Sequence, residues 1–174
     1  QGEGIAPDVI EGLDISDFSG HWERALQFIS IVQRYLEGGE APDEEARQRA
    51  SVLALTRRWQ ENPPDHPILV AGSTGSRGTT FHLMTAVAEL PQGAVVLPGF
   101  DFDMPSRVWA QLSDPKTSED HPQYRFSRLL NALELTSDHV IPWTAAEPQA
   151  AARNRLVSLA LRPAPVTHHW RQEG

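Results

Sequence analysis

The chain has 174 residues, with 23 acidic side chains against 15 basic ones and a net charge of −8 at neutral pH. A module that holds nucleic acid unaided usually carries a basic face, because phosphate neutralisation dominates its affinity, so this balance argues against autonomous DNA binding. The chain has no cysteine, which excludes disulfides, thiolate catalysis and thiolate-bound metals. No apolar run approaches about 18 residues, so we expect no membrane span and a cytoplasmic protein.

A first helix is predicted after an irregular stretch at 1–16. Ser16 or Asp17 can cap it, and apolar residues recur three and four positions apart until about Leu36, which is the spacing of one helix face. These apolar positions are Trp22, Ala25, Leu26, Ile29, Val32 and Leu36. Gly38-Gly39 should end this helix.

A second helix is predicted over about 42–61. Its acidic start, with Glu44 and Glu45, complements the positive end of the helix dipole, and Glu45 can pair with Arg49 one turn further on. The residues expected on its inner face are Ala46, Ala50, Leu53, Ala54 and Trp59. The prolines of "ENPPDHP" (61–67) end the helix, and we place a boundary there between a helical unit, 1–62, and an α/β unit, 63–174.

Residues 68–97 predict a strand, a helix and a second strand joined by short connections. Ile68–Ala71 and Ala94–Leu97 are apolar runs typical of buried strands, and Thr79–Leu90 carries a broad apolar face between them. This order is a βαβ unit, so we expect parallel strands and a right-handed crossover. Such a small sheet leaves both edges open. We therefore expect the missing strands elsewhere in a longer parent protein, or two copies paired through an open edge.

Further helices are predicted near 105–112, 122–134 and 146–161, with a polar loop at 113–121. "PAPVTHHWRQEG" (163–174) is expected to be extended or disordered. "HVIPW" (139–143) is a candidate third strand. The sequence thus predicts an α/β fold, in which a small, incomplete parallel sheet of two or three strands has a largely helical surround.

The loop "GSTGSRGTT" (72–80) has the position of a phosphate-binding loop, between a strand and a helix. A Walker A loop needs G-x-x-x-x-G-K-[ST], but the spacing from Gly72 puts Arg77 at the second glycine, and no lysine follows. Ser73-Thr74 also interrupts the dinucleotide pattern G-x-G-x-x-G. Two interpretations stay open. One is a structural turn capped by Ser76 or Thr79. The other is a weak anion or DNA contact, whose candidates are Gly72, Ser73, Thr74, Gly75, Ser76 and Arg77.

Two carboxylates, Asp101 and Asp103, follow the second strand, where open α/β sheets place their sites. They are weak candidates for holding Mg²⁺. A structural role explains the two carboxylates more simply, with Asp101 closing a turn and Asp103 capping a helix near Pro105. The seven histidines have no zinc-site spacing, and most of the five tryptophans lie on apolar helix faces. We expect no catalytic residue, metal or cofactor in this segment.

Several unusual stretches occur in a characteristic order. "PILVAGSTGSRGTTFHLMTAVAELPQGAVVLPGFDFDM" (67–104) resembles the AddB family in its alphaproteobacterial form. "HPQYRFSRLLNAL", "VIPW" and "ARNRLVSLALRPAPVTHHWR" continue the resemblance, which covers about residues 55–171. AddB proteins are helicase-like subunits of the AddAB helicase–nuclease, which processes DNA double-strand breaks.

The resemblance implies an internal segment of a subunit that has lost its motor function. The first helices would belong to an inserted helical subdomain, and the βαβ unit to a RecA-like remnant of a P-loop helicase core. An active helicase carries acidic residues at the end of such a strand, whereas this strand ends Ala71-Gly72-Ser73-Thr74. The implied partners are an AddA-like helicase–nuclease subunit and, through the full-length complex, DNA. The family's iron–sulfur cysteines and nuclease carboxylates have no counterpart here.

Two alternatives to this role come from the residues themselves. One is a small phosphate- or nucleotide-binding α/β protein that uses the 72–80 loop. The other is an interaction module without a ligand.

Overall fold

The computed structural model describes residues 9, 12, 20–37, 44–146 and 148–169. Two long helices come first, α1 (Gly20–Glu37) and α2 (Glu44–Glu61). They are followed by β1 (Ile68–Ala71), α3 (Gly78–Ala88) and β2 (Gly93–Val96). The remaining helices are α4 (Ser106–Trp109), α5 (Pro115–Ser118), α6 (Tyr124–Ala132) and α7 (Ala151–Ala160), with 3₁₀ turns at Ala110–Ser113, Ser137–His139 and Ala164–His169.

The predicted βαβ unit is confirmed. β1 and β2 pair in parallel, with Ile68 opposite Gly93 and Ala71 opposite Val96. The backbone N–H of Gly72 continues the ladder to the carbonyl of Val96 at 3.3 Å. Within the described ranges these two strands make up the sheet, so each strand has one unpaired edge. The chain is therefore mixed α/β with a small parallel sheet and a largely helical surround.

The two strands are less buried than their apolar runs predict. α3 packs against both of them, but β1 alternates between half-buried and exposed residues, and Leu69 is 54% exposed. β2 is half-buried along its length. Parallel sheets normally have both faces covered, whereas the described residues leave one face of this sheet open.

The second predicted helix is confirmed as α2, which lies against α3. The residues on its inner face differ from the predicted ones. Its half-buried residues are Ala46, Arg49, Val52, Leu53, Leu55, Thr56 and Trp59. Ala50 and Ala54 are exposed, so their inward placement was wrong. Larger side chains take the contact with α3 because they remove more apolar surface from water than alanine does.

α1 confirms the first predicted helix, but its apolar face is only partly covered. Ala25 and Leu26 are half-buried, whereas Ile29 and Val32 are exposed. The proposed caps Ser16 and Asp17, the stop at Gly38-Gly39, and the side chains of Trp22 and Leu36 lie outside the described residues.

The main core follows the sheet along the chain. Phe100 stacks on Trp109, with ring centroids 4.5 Å apart and 13° between the ring planes. The buried residues of this cluster are Met104, Val108, Trp109, Leu112, Phe126 and Val166. The predicted helices near 105–112 and 122–134 are confirmed as α4 with its 3₁₀ turn and α6, and they supply most of these side chains.

The predicted third strand and the predicted polar loop are both wrong. "HVIPW" starts within a 3₁₀ turn and then runs without strand pairing, and Pro142 within it has no backbone donor for a ladder. Residues 113–121 contain α5, because the Asp114 side chain accepts the N–H of Lys116 at 3.0 Å and Pro115 suits the first helical turn.

The prediction of an extended or disordered tail is wrong for residues 164–169, and residues 170–174 lie outside the described ranges. Residues 164–169 form a 3₁₀ turn, and Val166 is 9% exposed within the main core. A prolyl carbonyl helps to fix this turn, since the N–H of Val166 donates to Pro163 at 2.9 Å. Residues 164–169 are therefore part of the folded unit.

Candidate functional site

The glycine-rich loop lies between the carboxyl end of β1 and the start of α3. Gly72 and Gly75 have φ of 78° and 65°, the left-handed backbone that favours glycine. The Ser73 hydroxyl accepts the N–H of Gly75 at 3.3 Å. Gly75 is buried, and a Cβ added to it would lie 3.1 Å from the sulfur of Met84. The loop is thus a tight turn that packs onto the first turns of α3.

Arg77 is the residue before the first turn of α3, and its side chain makes no capping bond. The prediction of Ser76 or Thr79 as the cap is therefore wrong. Arg77 Nη1 lies 3.3 Å from Glu45 Oε1 on α2, so Glu45 pairs with this loop rather than with Arg49. An exposed pair of this kind contributes little stability. The pair does place the Glu45 carboxylate beside Arg77, the one cationic residue of the loop. A bound phosphate would have to compete with this carboxylate for Arg77.

The loop after β2 holds both candidate metal ligands. Asp101 Oδ1 accepts the N–H of Asp103 at 3.0 Å, which confirms that Asp101 closes a turn. The residue at the cap position of α4 is Pro105, so Asp103 is not that cap. Across the described ranges, no three His, Cys, Asp or Glu side chains come together. Asp101 and Asp103 would therefore offer Mg²⁺ only two carboxylates.

Gln123, the residue before α6, braces this loop. Its Oε1 accepts the N–H of Asp101 at 3.1 Å, and its Nε2 donates to the carbonyl of Gly99 at 3.0 Å. Gln123 is 9% exposed, so both hydrogen bonds are shielded from water. The loop position is fixed by a side chain that sequence reasoning did not single out.

His121 connects the same loop to the end of α7. Its Nδ1 accepts the N–H of Gln123 at 3.1 Å, and its Nε2 lies 2.7 Å from the carbonyl of Leu161. Since Nδ1 accepts, the proton belongs on Nε2, which donates to Leu161. Burial lowers the pKa of His121 below its ordinary value of 6.5, against the smaller opposing effects of the Leu161 hydrogen bond and the Asp101 charge. His121 thus acts as a neutral brace.

An open groove of about 750 Å³ lies between this loop and α7. Its walls include Phe102 and Trp143, which are 54% and 71% exposed, and the α7 residue Val157. The predicted helix at 146–161 is confirmed as the shorter α7, and Leu156, Val157 and Leu161 are exposed. A sequence pattern predicts such a helix but does not say whether a neighbouring element covers its apolar residues.

No protein-family model, curated protein or solved structure matches this chain. Within the described ranges, no helix has the length and apolar character needed to cross a membrane. What the two sites can do must therefore be argued from their own residues. The loop offers backbone amides and one paired arginine, and the groove offers aromatic and aliphatic surface beside two carboxylates.

Proposed function

We propose that this chain is a non-catalytic, helicase-like segment of a subunit in an ATP-dependent helicase–nuclease complex that repairs DNA double-strand breaks. It serves as a scaffold, as an interface for an AddA-like helicase–nuclease subunit, and as part of the wall of a DNA channel. ATP turnover belongs to the partner subunit. The resemblance of residues 55–171 to AddB suggests this assignment.

The observation that carries the proposal is the loop between β1 and α3. It has the layout of a motor loop, with a strand, a glycine turn and a helix. Phosphoryl transfer needs a cation on the β- and γ-phosphates and a carboxylate near the magnesium and the attacking water. Here the Ser73 hydroxyl is used inside the turn, and Arg77 faces Glu45. Residues 72–80 contain neither lysine nor carboxylate, which favours a structural role.

The small sheet gives further support. Within the part of the chain that the structure describes, both strands have an unpaired edge, and Leu69 exposes its side chain on the uncovered face. Open edges and apolar sheet faces are normally covered by other protein. A segment that other parts of its subunit complete would account for this surface.

Titration with Mg²⁺ and ATP tests the proposal against the nucleotide-binding alternative. A ligand at about 50 times its Kd would stabilise the chain by about 2.3 kcal/mol, or roughly 5–9 °C in Tm for this size of protein. We expect no such shift in the 174-residue chain at millimolar ATP. A shift that Arg77→Ala removes would replace the proposal with the alternative.

Assembly tests the scaffold role itself. The chain, expressed as part of its full-length subunit, should form a stable complex with an AddA-like helicase–nuclease subunit in size-exclusion chromatography. Failure of the two full-length proteins to associate would refute the proposed partner.

A further inference from the structure

The groove beside α7 has no role in the loop chemistry described above. Three residues of α7 and the residue that follows the helix line the groove, and their spacing of three and four positions places them on one face: Asn154, Val157, Ser158 and Leu161. Val157 and Leu161 are 49% and 44% exposed. The opposite wall carries the exposed rings of Phe102 and Trp143. Large aromatic and aliphatic side chains gathered on an open surface mark a protein-binding site.

The charge of the groove restricts what it can bind. Asp101 and Asp103 lie along it, and none of the ion pairs found among the described residues uses either carboxylate. No Lys or Arg is among its lining residues. Arg153 and Arg155 flank Asn154 on α7, but neighbouring helix positions are about 100° apart, so they do not share its face. Among the described residues, the lining of the groove thus combines apolar surface with two carboxylates and no cationic side chain.

The walls of the groove are held in place before anything binds. Gln123 fixes the backbone at Gly99 and Asp101, and His121 ties the same region to the carbonyl of Leu161 at the end of α7. Holding both walls in advance reduces the ordering cost of binding.

We propose that this groove docks a helical segment of a partner protein in which bulky apolar side chains are flanked by Lys or Arg. The apolar side chains would occupy the space between Trp143 and Val157, and the cations would meet Asp101 and Asp103. Nucleic acid and anionic membranes are disfavoured, because their phosphates would face these carboxylates. A second copy of the chain is disfavoured by the net charge of −8 on each molecule. This docking site would be part of the proposed scaffold role. It depends on that role in one respect, which is that the partner is a protein.

A peptide titration tests the charge of the groove. The probe is a fluorescein-labelled amphipathic peptide of leucine and lysine, about 18 residues or five helical turns long. Its counterpart has glutamate in place of every lysine. Fluorescence anisotropy with the full chain should show binding at least about ten-fold tighter for the lysine peptide, and the preference should weaken as salt is raised.

Matched variants separate the groove from general attraction to an acidic protein. Asp101→Asn with Asp103→Asn should weaken binding of the lysine peptide by about five-fold or more, and the asparagine at 101 keeps an oxygen for the turn. Asp120→Asn removes an exposed charge outside the groove and should change the affinity by less than about two-fold. Equal losses from these variants would overturn the inference.

The apolar wall is tested on neighbouring residues of α7. Val157 lines the groove, whereas Leu156 is 65% exposed and does not. Val157→Ser should weaken the peptide several-fold, and Leu156→Ser should not. Equal binding by both variants would refute the proposed occupant. So would binding of labelled single-stranded DNA to the chain, or self-association of the chain in sedimentation, if Val157→Ser abolishes it.

Assembly of the full-length subunits distinguishes failure of this inference from failure of the proposed function. If the wild-type proteins assemble and Val157→Ser assembles equally well, the groove is not the docking site and the scaffold role stands. If the wild-type proteins do not assemble, the scaffold role fails, and the peptide titration alone decides whether the groove takes a basic apolar segment.

Discussion

Gly93 begins β2 at the point where the end of α3 crosses the strand. A Cβ placed on Gly93 would lie 1.7 Å from the carbonyl oxygen of Val87, 2.9 Å from its carbonyl carbon and 3.0 Å from the Cβ of Leu90. The N–H of Gly93 also donates to the carbonyl of Leu90 at 3.0 Å. Because the main obstacle is backbone, no change of side-chain rotamer can make room, and Gly93→Ala must move α3 away from β2.

The expected cost follows from that displacement. Overpacking a close-packed contact typically costs about 1–3 kcal/mol, and we expect Gly93→Ala at about 3 kcal/mol or more, since a backbone element must shift. For a chain of this size this loss corresponds to a Tm lower by about 6–12 °C. Urea unfolding, followed by far-ultraviolet circular dichroism and tryptophan fluorescence, measures the free energy of unfolding directly.

Gly72→Ala is the matched control. Gly72 has φ of 78°, but a Cβ there would meet nothing within 4 Å, so its cost is limited to the left-handed backbone, about 1–2 kcal/mol. Wild-type stability in Gly93→Ala, or a smaller loss than in Gly72→Ala, would refute the described packing of α3 on β2.

Three further predictions concern two single side chains and one ion pair. Burial lowers the pKa of His121 in the folded state, so the unfolded chain binds more protons between that pKa and 6.5. The free energy of unfolding should therefore fall as pH drops below about 6.5, and His121→Gln should reduce this fall. Parallel pH profiles of the wild type and the variant would contradict the role of neutral His121 as a brace. The Ser158 hydroxyl is buried and has no hydrogen-bond partner among the described residues, so Ser158→Ala should leave the free energy of unfolding unchanged or raise it by up to about 1 kcal/mol. A loss above about 1 kcal/mol would show an unrecognised partner. Arg77 and Glu45 are exposed, so a double-mutant cycle should give a coupling energy below about 1 kcal/mol. A coupling energy of about 2 kcal/mol or more would mean that this ion pair holds α2 against the loop.

The sequence was sufficient where local signals decide the structure. The apolar runs at 68–71 and 94–97, the glycine turn before α3 and the "PQG" turn after it specify a βαβ unit within about thirty residues, the usual size of this motif. The short helix α5 was missed although its signal is local, because Asp114 followed by Pro115 is a common helix start.

The candidate sites depend on contacts that no local pattern contains. Arg77 and Glu45 are 32 positions apart, and His121 and Leu161 are 40 apart. The burial of Val166 and the exposure of the apolar face of α7 depend on which elements meet in space. Periodicity identifies a helix face but does not say whether another element covers it.

ATP-dependent degradation of linear duplex DNA by the reconstituted helicase–nuclease decides whether this chain is a non-catalytic part of that complex. The full-length subunit that contains this chain should be required for the activity. Replacing the phosphate-binding lysine of the AddA-like partner should abolish the activity, and Arg77→Ala in this chain should leave it unchanged. DNA degradation that does not need this subunit, or ATP hydrolysis by this chain alone that Arg77→Ala removes, would contradict the account.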